Sequence, residues 1–232
     1  LLIGIILIIN YYTHDNTTAT ITKQDVLEPL ALDSIISPEI FIINLDRKPE
    51  RYIYVSNQLD KFGLTGYQRW EAIDGFVTDT DKLISYGVTP NLSVRGGLGG
   101  CAASHMNLWR HIVDHKIKWT LILEDDAHFH PEFRELFSHY CSQIPNDAKI
   151  VYLGHCGFDD NEIGMNAVVQ HDAMCAHAYL ISEEGAQELL SNMLPVEEPI
   201  DIEITRYFRS HSGSYIFNGK DHHLSTVFLD RH

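Results

Sequence analysis

Trp119-Thr120-Leu121-Ile122-Leu123-Glu124-Asp125-Asp126-Ala127 decides how the chain is read. An apolar run of strand length stops abruptly at three consecutive carboxylates. Ligands of open α/β sheets gather at the carboxyl ends of strands, so these acids stand where chemistry collects. On an extended backbone Glu124 and Asp126 share one face and Asp125 points to the other. That spacing lets two oxygen ligands approach one hard divalent cation, with water and a phosphate completing its shell. Three carboxylates so close raise one another's pKa unless a cation or hydrogen bonds compensate them. A solvated strand end opening an acidic turn is the plain alternative.

Outward from this stretch, the pattern is strand, helix, strand. Ile40 to Leu45 is an apolar run suited to a buried strand, and Tyr52, Val55, Leu59 and Phe62 recur at helical spacing before Gly63. A second strand, Tyr67 to Ile73, ends at Asp74-Gly75. This order predicts a βαβ unit in a mostly parallel central sheet flanked by helices, an α/β single domain. Residues 76–94 read as loop with one short helix. Arg95-Gly96-Gly97-Leu98-Gly99-Gly100-Cys101 then precedes a helix whose buried side carries Met106, Trp109, Ile112 and Val113. Backbone N–H groups at a glycine-rich helix start can hold an anion, although glycine clusters also simply mark turns. Further on, the sequence predicts a helix from Pro131 to about Gln143 and strands over Lys149–Leu153 and Met174–Ser182. Helices over Glu183–Leu194 and from about Ile202 to Arg209 complete the pattern.

The 232 residues suffice for one domain with a substantial core. The formal charge of -15 excludes a broad nucleic-acid footprint, which requires a basic patch. It suits a protein that meets anionic ligands through a metal and a few arginines. Cys101, Cys141, Cys156 and Cys175 form no CxxC pair, so no zinc or thioredoxin-type centre is indicated. Leu1 to Ile9 is apolar but shorter than the roughly 20 residues of a spanning helix. With Tyr11 and Tyr12 after it, residues 1–12 read as a clipped signal anchor or a signal-peptide remnant, and 13–38 as a stem. Asn16-Thr17-Thr18 and Asn91-Leu92-Ser93 are glycosylation sequons. These features lead to an expectation of membrane association through the N-terminus: single-pass or in the secretory lumen if eukaryotic, on the inner-membrane face if bacterial.

Several stretches together resemble the family 25 glycosyltransferases, which include lipopolysaccharide and procollagen galactosyltransferases. They are Ile43-Asn44-Leu45 with Arg47 and Arg51, Ala72-Ile73-Asp74-Gly75, and Gly100-Cys101-Ala102-Ala103-Ser104-His105 with Leu108-Trp109. Leu123-Glu124-Asp125-Asp126, Ala178-Tyr179-Leu180-Ile181-Ser182 with Gly185-Ala186, and Pro199-Ile200-Asp201 follow in order. The resemblance covers residues 39 to 210 and implies a GT-A-like fold for the domain from 39 to 232. It implies inverting transfer of a hexose, galactose foremost, from a UDP-sugar to a glycan, lipopolysaccharide or hydroxylysine hydroxyl. Asn44, Arg47, Arg51, Asp74, Gly99, Gly100, Ser104 and His105 are then expected at the donor, with Glu124 and Asp125. Asp126, Asp125 and Glu124 would hold Mn²⁺ or Mg²⁺, hard ions suited to carboxylate and water. By analogy of fold His222 or His223 joins them. Asp201, or next Glu203, is the expected base for the acceptor hydroxyl, with a helix N-cap as the alternative role of Asp201. A sugar-nucleotide hydrolase and a non-catalytic transferase-like adhesion or chaperone module are the competing classes.

Overall fold

The computed structural model describes residues 37–154, 167–170, 175–218 and 224–227. The N-terminal apolar run, most of the stem, the Asn16 sequon, Cys156, His222 and His223 lie outside the described residues. No helix among the described residues is long and apolar enough to cross a membrane.

Seven strands form one sheet and two more a small second sheet. In chain order they are β1 (Glu39–Asn44), β2 (Gln68–Glu71), β3 (Trp119–Glu124), β4 (Ala127–Phe129), β5 (Ile150–Tyr152), β6 (Ala167–Gln170), β7 (Ala178–Ser182), β8 (Ser214–Asn218) and β9 (Ser225–Val227). The main sheet runs β2-β1-β3-β7-β5-β8-β6, and β4 pairs with β9. The α/β class with helices on both faces and a mostly parallel sheet is as the sequence predicts, with β7 and β6 running against the other five strands. β1 is parallel to β2 and β3, and β5 to β8, whereas β7 is antiparallel to β3 and β5, and β6 to β8. Short apolar runs carry no direction, so periodicity alone could not single out the two reversed strands.

The helices are α1 (Pro49–Lys61), α2 (Thr80–Ser85), α3 (Pro90–Ser93), α4 (Gly97–His115), α5 (Phe133–Cys141), α6 (Glu183–Asn192) and α7 (Ile200–Phe208). Alternation along the central strands builds two cores. Phe41, Ile43 and Ile122 face α4, α6 and α7, while Ile40, Ile42, Leu121 and Leu123 face α1 and α5. Both faces of β1 and β3 are therefore covered, which is why each reads as an unbroken apolar run. The 76–94 stretch holds two short helices instead of one, with α2 capped by the Asp79 side chain accepting from Lys82 N–H. Helix α5 starts at Phe133, past Pro131.

Glycines let α4 approach the β2–α2 loop at backbone distance. A Cβ on Gly100 would lie 2.4 Å from Ile73 O, and one on Gly75 would lie 2.0 Å from Gly96 O. No other residue fits at either point. Ser104 locks the same contact, its Oγ accepting from Ile73 N–H and donating to Gly100 O. The loop and the start of α4 thus form one rigid rim above the carboxyl ends of β1 and β2.

Candidate functional site

Two connected compartments and a separate cleft meet at the end of β3. The first compartment, of about 530 Å³, lies beyond β1 and β2 and is lined by Arg47, Trp70, Asp74, Val77 and Asn107, among others. The second, of about 130 Å³, shares Arg47 and Asp74 with it and reaches Cys101, His105, Glu124 and Asp125. On the other side of Cys101 and Glu124 lies a cleft of about 190 Å³, lined also by Asp126, His177 and Asp201. Glu124 and Cys101 are therefore the wall between two chambers. Asp125 turns to one chamber and Asp126 to the other, while Glu124 lines both; the strand ends at Glu124, so Asp125 and Asp126 belong to the turn after it.

On the Asp125 side the carboxylates nearest Glu124 have partners. Asn44, buried at the end of β1, donates to Asp125 Oδ2 at 2.7 Å and to Lys48 O, and accepts from Arg69 Nε. Arg51 Nη1 reaches Asp125 Oδ1 at 3.3 Å. Burial pushes the Asp125 carboxyl up, and the Asn44 and Arg51 bonds only partly offset it. Arg47 donates to Asp74 at 2.6 Å, which holds the Asp74 carboxyl below its ordinary value.

Glu124 is held from behind by a buried chain. Trp109 Nε1–H donates to Tyr179 Oη at 2.9 Å, Tyr179 Oη pairs with His105 Nδ1 at 2.8 Å, and His105 Nε2 pairs with Glu124 Oε1 at 3.1 Å. The indole can only donate. One assignment then satisfies every group: Tyr179 O–H donates to His105 Nδ1, and His105 Nε2–H donates to Glu124. Burial pushes the Glu124 carboxyl up, but the His105 bond and the charges of His105 and His177 outweigh it, and its pKa lies below the ordinary value.

Asp126 has no such support. Its Oδ1 is buried with no hydrogen-bond partner among the described residues. Burial, then the charges of Glu124 and Asp125, push its carboxyl up to about 7 against a weaker opposing pull from Arg51. An orphaned carboxylate oxygen in an acidic cleft without lysine or arginine among its described lining residues fits a hard divalent cation. The three acids do not converge as one ligand set. Among the described residues, the group of three metal-capable side chains whose ligand atoms lie within 4.8 Å of one another is Cys101, His105 and Glu124. Its chemistry suits a hydrogen-bond network better. Burial and the charges of Glu124, Asp201 and Asp126 push the Cys101 thiol well above its ordinary value, and both His105 ring nitrogens are engaged. Hard ions also prefer oxygen to sulfur.

The remaining expected residues divide between the clefts and the scaffold. Asp201, at the start of α7, lines the Asp126 cleft and accepts from Cys175 N–H and Ile202 N–H. It is not the helix N-cap, a position occupied by Pro199. Glu203 is displaced from the role of base. Its Oε1 accepts from the N–H groups of Glu197 and Glu198, and its Oε2 pairs with Arg206 at 2.9 Å, so it braces the turn before α7. Gly99 and Gly100 are buried against backbone, Gly99 beside Leu92 O and Gly100 beside Ile73 O, and Gly97 lines the chamber in their place. Arg51 acts through Asp125 and lines none of the three spaces, leaving Arg47 as the arginine on the wall.

Several residues that shape the site, three of them on these walls, are absent from the residues the sequence suggested. Cys101 separates the chambers, His177 lines the Asp126 cleft, Tyr179 orients His105, and Phe76 lines the second compartment. His177 and Tyr179 were hidden by strand direction. An antiparallel β7 brings its N-terminal end to the carboxyl end of β3, where His177 O accepts from Glu124 N–H at 2.8 Å. The i, i+2 spacing of His177 and Tyr179 beside the apolar strand was the available signal. Cys101 and Cys141 are in no disulfide, whereas Cys175 is disulfide-bonded.

The sequence profile described as "Glycosyltransferase family 25 (LPS biosynthesis protein)" matches residues 37–204, most of the chain. The chain belongs to this family. A glycosyltransferase 25 family member of Drosophila melanogaster is 28% identical over 224 residues, 86% of this chain and 34% of its own length. An Aedes aegypti member is 30% identical, covering 80% of this chain and 33% of its own length. Procollagen galactosyltransferase 2 of Mus musculus is 28% identical, covering 71% and 30%. The chain spans about a third of the length of these relatives. The family match contains the wall residues from Asn44 to Asp201.

Proposed function

We propose that the chain is a metal-dependent inverting glycosyltransferase moving a hexose from a UDP-sugar to an acceptor hydroxyl. Galactose is the sugar favoured by the name of the mouse relative, and a glycan, lipopolysaccharide sugar or hydroxylysine is the acceptor class. The observation that carries the reading is the wall of Glu124 and Cys101 between a charge-paired chamber and a cleft of uncompensated acid. The paired side suits a nucleoside diphosphate, with Arg47 on its wall. Asp126, with Glu124, would hold Mn²⁺ or Mg²⁺, whose chemistry there is to neutralise charge on the departing diphosphate.

Asp201 shares the Asp126 cleft, where an acceptor hydroxyl would attack the anomeric carbon from the face opposite the diphosphate. The hydroxyl proton passes to the Asp201 carboxylate, the new glycosidic bond forms, and the bond to UDP breaks. The two backbone N–H donors fix this carboxylate without neutralising it. The N-terminal apolar run would attach the enzyme to a membrane, placing the cleft near a membrane-bound or lumenal acceptor. Incubation with UDP-galactose, Mn²⁺ and candidate acceptors tests the reading. Glycosylated acceptor is expected, whereas free galactose and UDP, with intact acceptor throughout, would indicate a hydrolase.

A further inference from the structure

An exposed apolar side chain standing alone needs no explanation. Phe76 is different, because it is 74% exposed and yet fixed on the wall of the second compartment. Its N–H donates to Asp74 Oδ1 at 3.1 Å, and the N–H groups of Val77 and Thr78 both donate to Asp74 O. Asp74 is in turn held by Arg47, whose guanidinium carbon lies 6.0 Å from the Phe76 ring centroid. The ring rests on glycine. A Cβ on Gly96, where φ is +55°, would lie 2.7 Å from it, and one on Gly97 3.4 Å. The chain thus seats an aromatic ring without burying it, so folding gains little apolar burial from the placement. A ring seated beside a planar cation is suited to receive a flat ligand ring.

We propose that Phe76 is the stacking platform for the nucleobase of the sugar nucleotide, an inference that rests on the donor reading above. The layout selects the base over the sugar. From Phe76 one direction leads to Glu124 and Asp125, where the diphosphate end belongs, and the other to the roomier compartment behind Arg47. Trp70 and Asn107 line that compartment, and the Trp70 indole N–H is buried with no partner among the described residues. The acceptor cleft does not include Phe76.

Calorimetric titration of UDP and of inorganic pyrophosphate, each with Mn²⁺, separates stacking from anchoring. Phe76→Ala should weaken UDP by about tenfold, within the range for loss of one aromatic–base stack. Its pyrophosphate affinity should stay within about twofold of wild type, and Phe76→Tyr should bind UDP like wild type. Unchanged UDP affinity in Phe76→Ala would overturn the inference. So would an equal loss for UDP and pyrophosphate, which would mean that the ring only supports Arg47 and Asp74. A wild-type protein that binds pyrophosphate but no better with a base attached also contradicts it, while failure to bind either ligand removes the donor reading itself.

Discussion

The two sides of Glu124 handle negative charge in opposite ways. Toward β1, Asp125 is met by Asn44 and Arg51, and Asp74 by Arg47. Toward α7, Asp126 keeps an orphaned oxygen, and among the described residues its cleft is lined by no arginine or lysine. A folded chain leaves a buried carboxylate uncompensated at a cost to stability, so such a group points to a ligand that supplies the missing charge. One side is finished by folding and the other by binding.

Removing the orphaned charge should break the contrast most severely. Asp126→Asn is expected to reduce transfer by at least about 10³-fold, the scale of several kcal/mol for a metal's charge stabilisation, measured as product formed with saturating UDP-sugar and Mn²⁺. Asp201→Asn keeps one oxygen as acceptor for the Cys175 or the Ile202 N–H, turns an NH2 toward the other and loses the basic oxygen. It should lower kcat by about 10²-fold or more with donor affinity nearly unchanged. Glu203→Gln, by contrast, should keep turnover, because Glu203 only braces a turn. On the paired side, Arg51→Ala should raise the donor KM by about fivefold, the signature of lost uniform binding, and leave the acceptor KM alone. Equal changes in both would place Arg51 outside donor support. Tyr179→Phe should have the least effect on activity. It strips partners from the Trp109 indole and His105, and should cost about 2 kcal/mol, or roughly 4–8 °C in Tm for a chain of this size, read by thermal denaturation.

The sequence predicted β1 and β3 because each is apolar on both faces and ends in a change of polarity, at Ile43-Asn44 and Leu123-Glu124. The separation of Asp125 from Asp126 was only partly legible, since both lie in the turn after β3 and Glu124 borders both spaces. Strand direction was not legible. β7 is as apolar as a parallel strand, and only long-range pairing reverses it and delivers His177 to Glu124. Nor could the sequence separate carboxylates that face a cleft from those spent on scaffolding. Asp201 and Glu203 are two residues apart in α7, yet one faces the cleft and the other is folded back onto the turn before its helix. The glycine cluster misled for a similar reason, because Gly99 and Gly100 serve backbone contact and not an anion.

The central claim is that Asp126 waits for a divalent cation, and UDP titration with and without Mn²⁺ across pH tests it most directly. In the metal-free protein the Asp126 carboxyl is raised from 3.8 to about 7. As pH rises through that window the unfolded chain loses this proton before the folded one, so ionising Asp126 destabilises the folded state. Below about 7 the ion must displace the proton. Mn²⁺-dependent UDP affinity should therefore fall by about tenfold per pH unit from 7 downward and level off above it. Asp126→Asn should bind UDP weakly, equally with and without Mn²⁺, and with no such pH dependence. If the variant keeps the full Mn²⁺ enhancement of UDP binding, the cation is held elsewhere and the account of this cleft is wrong.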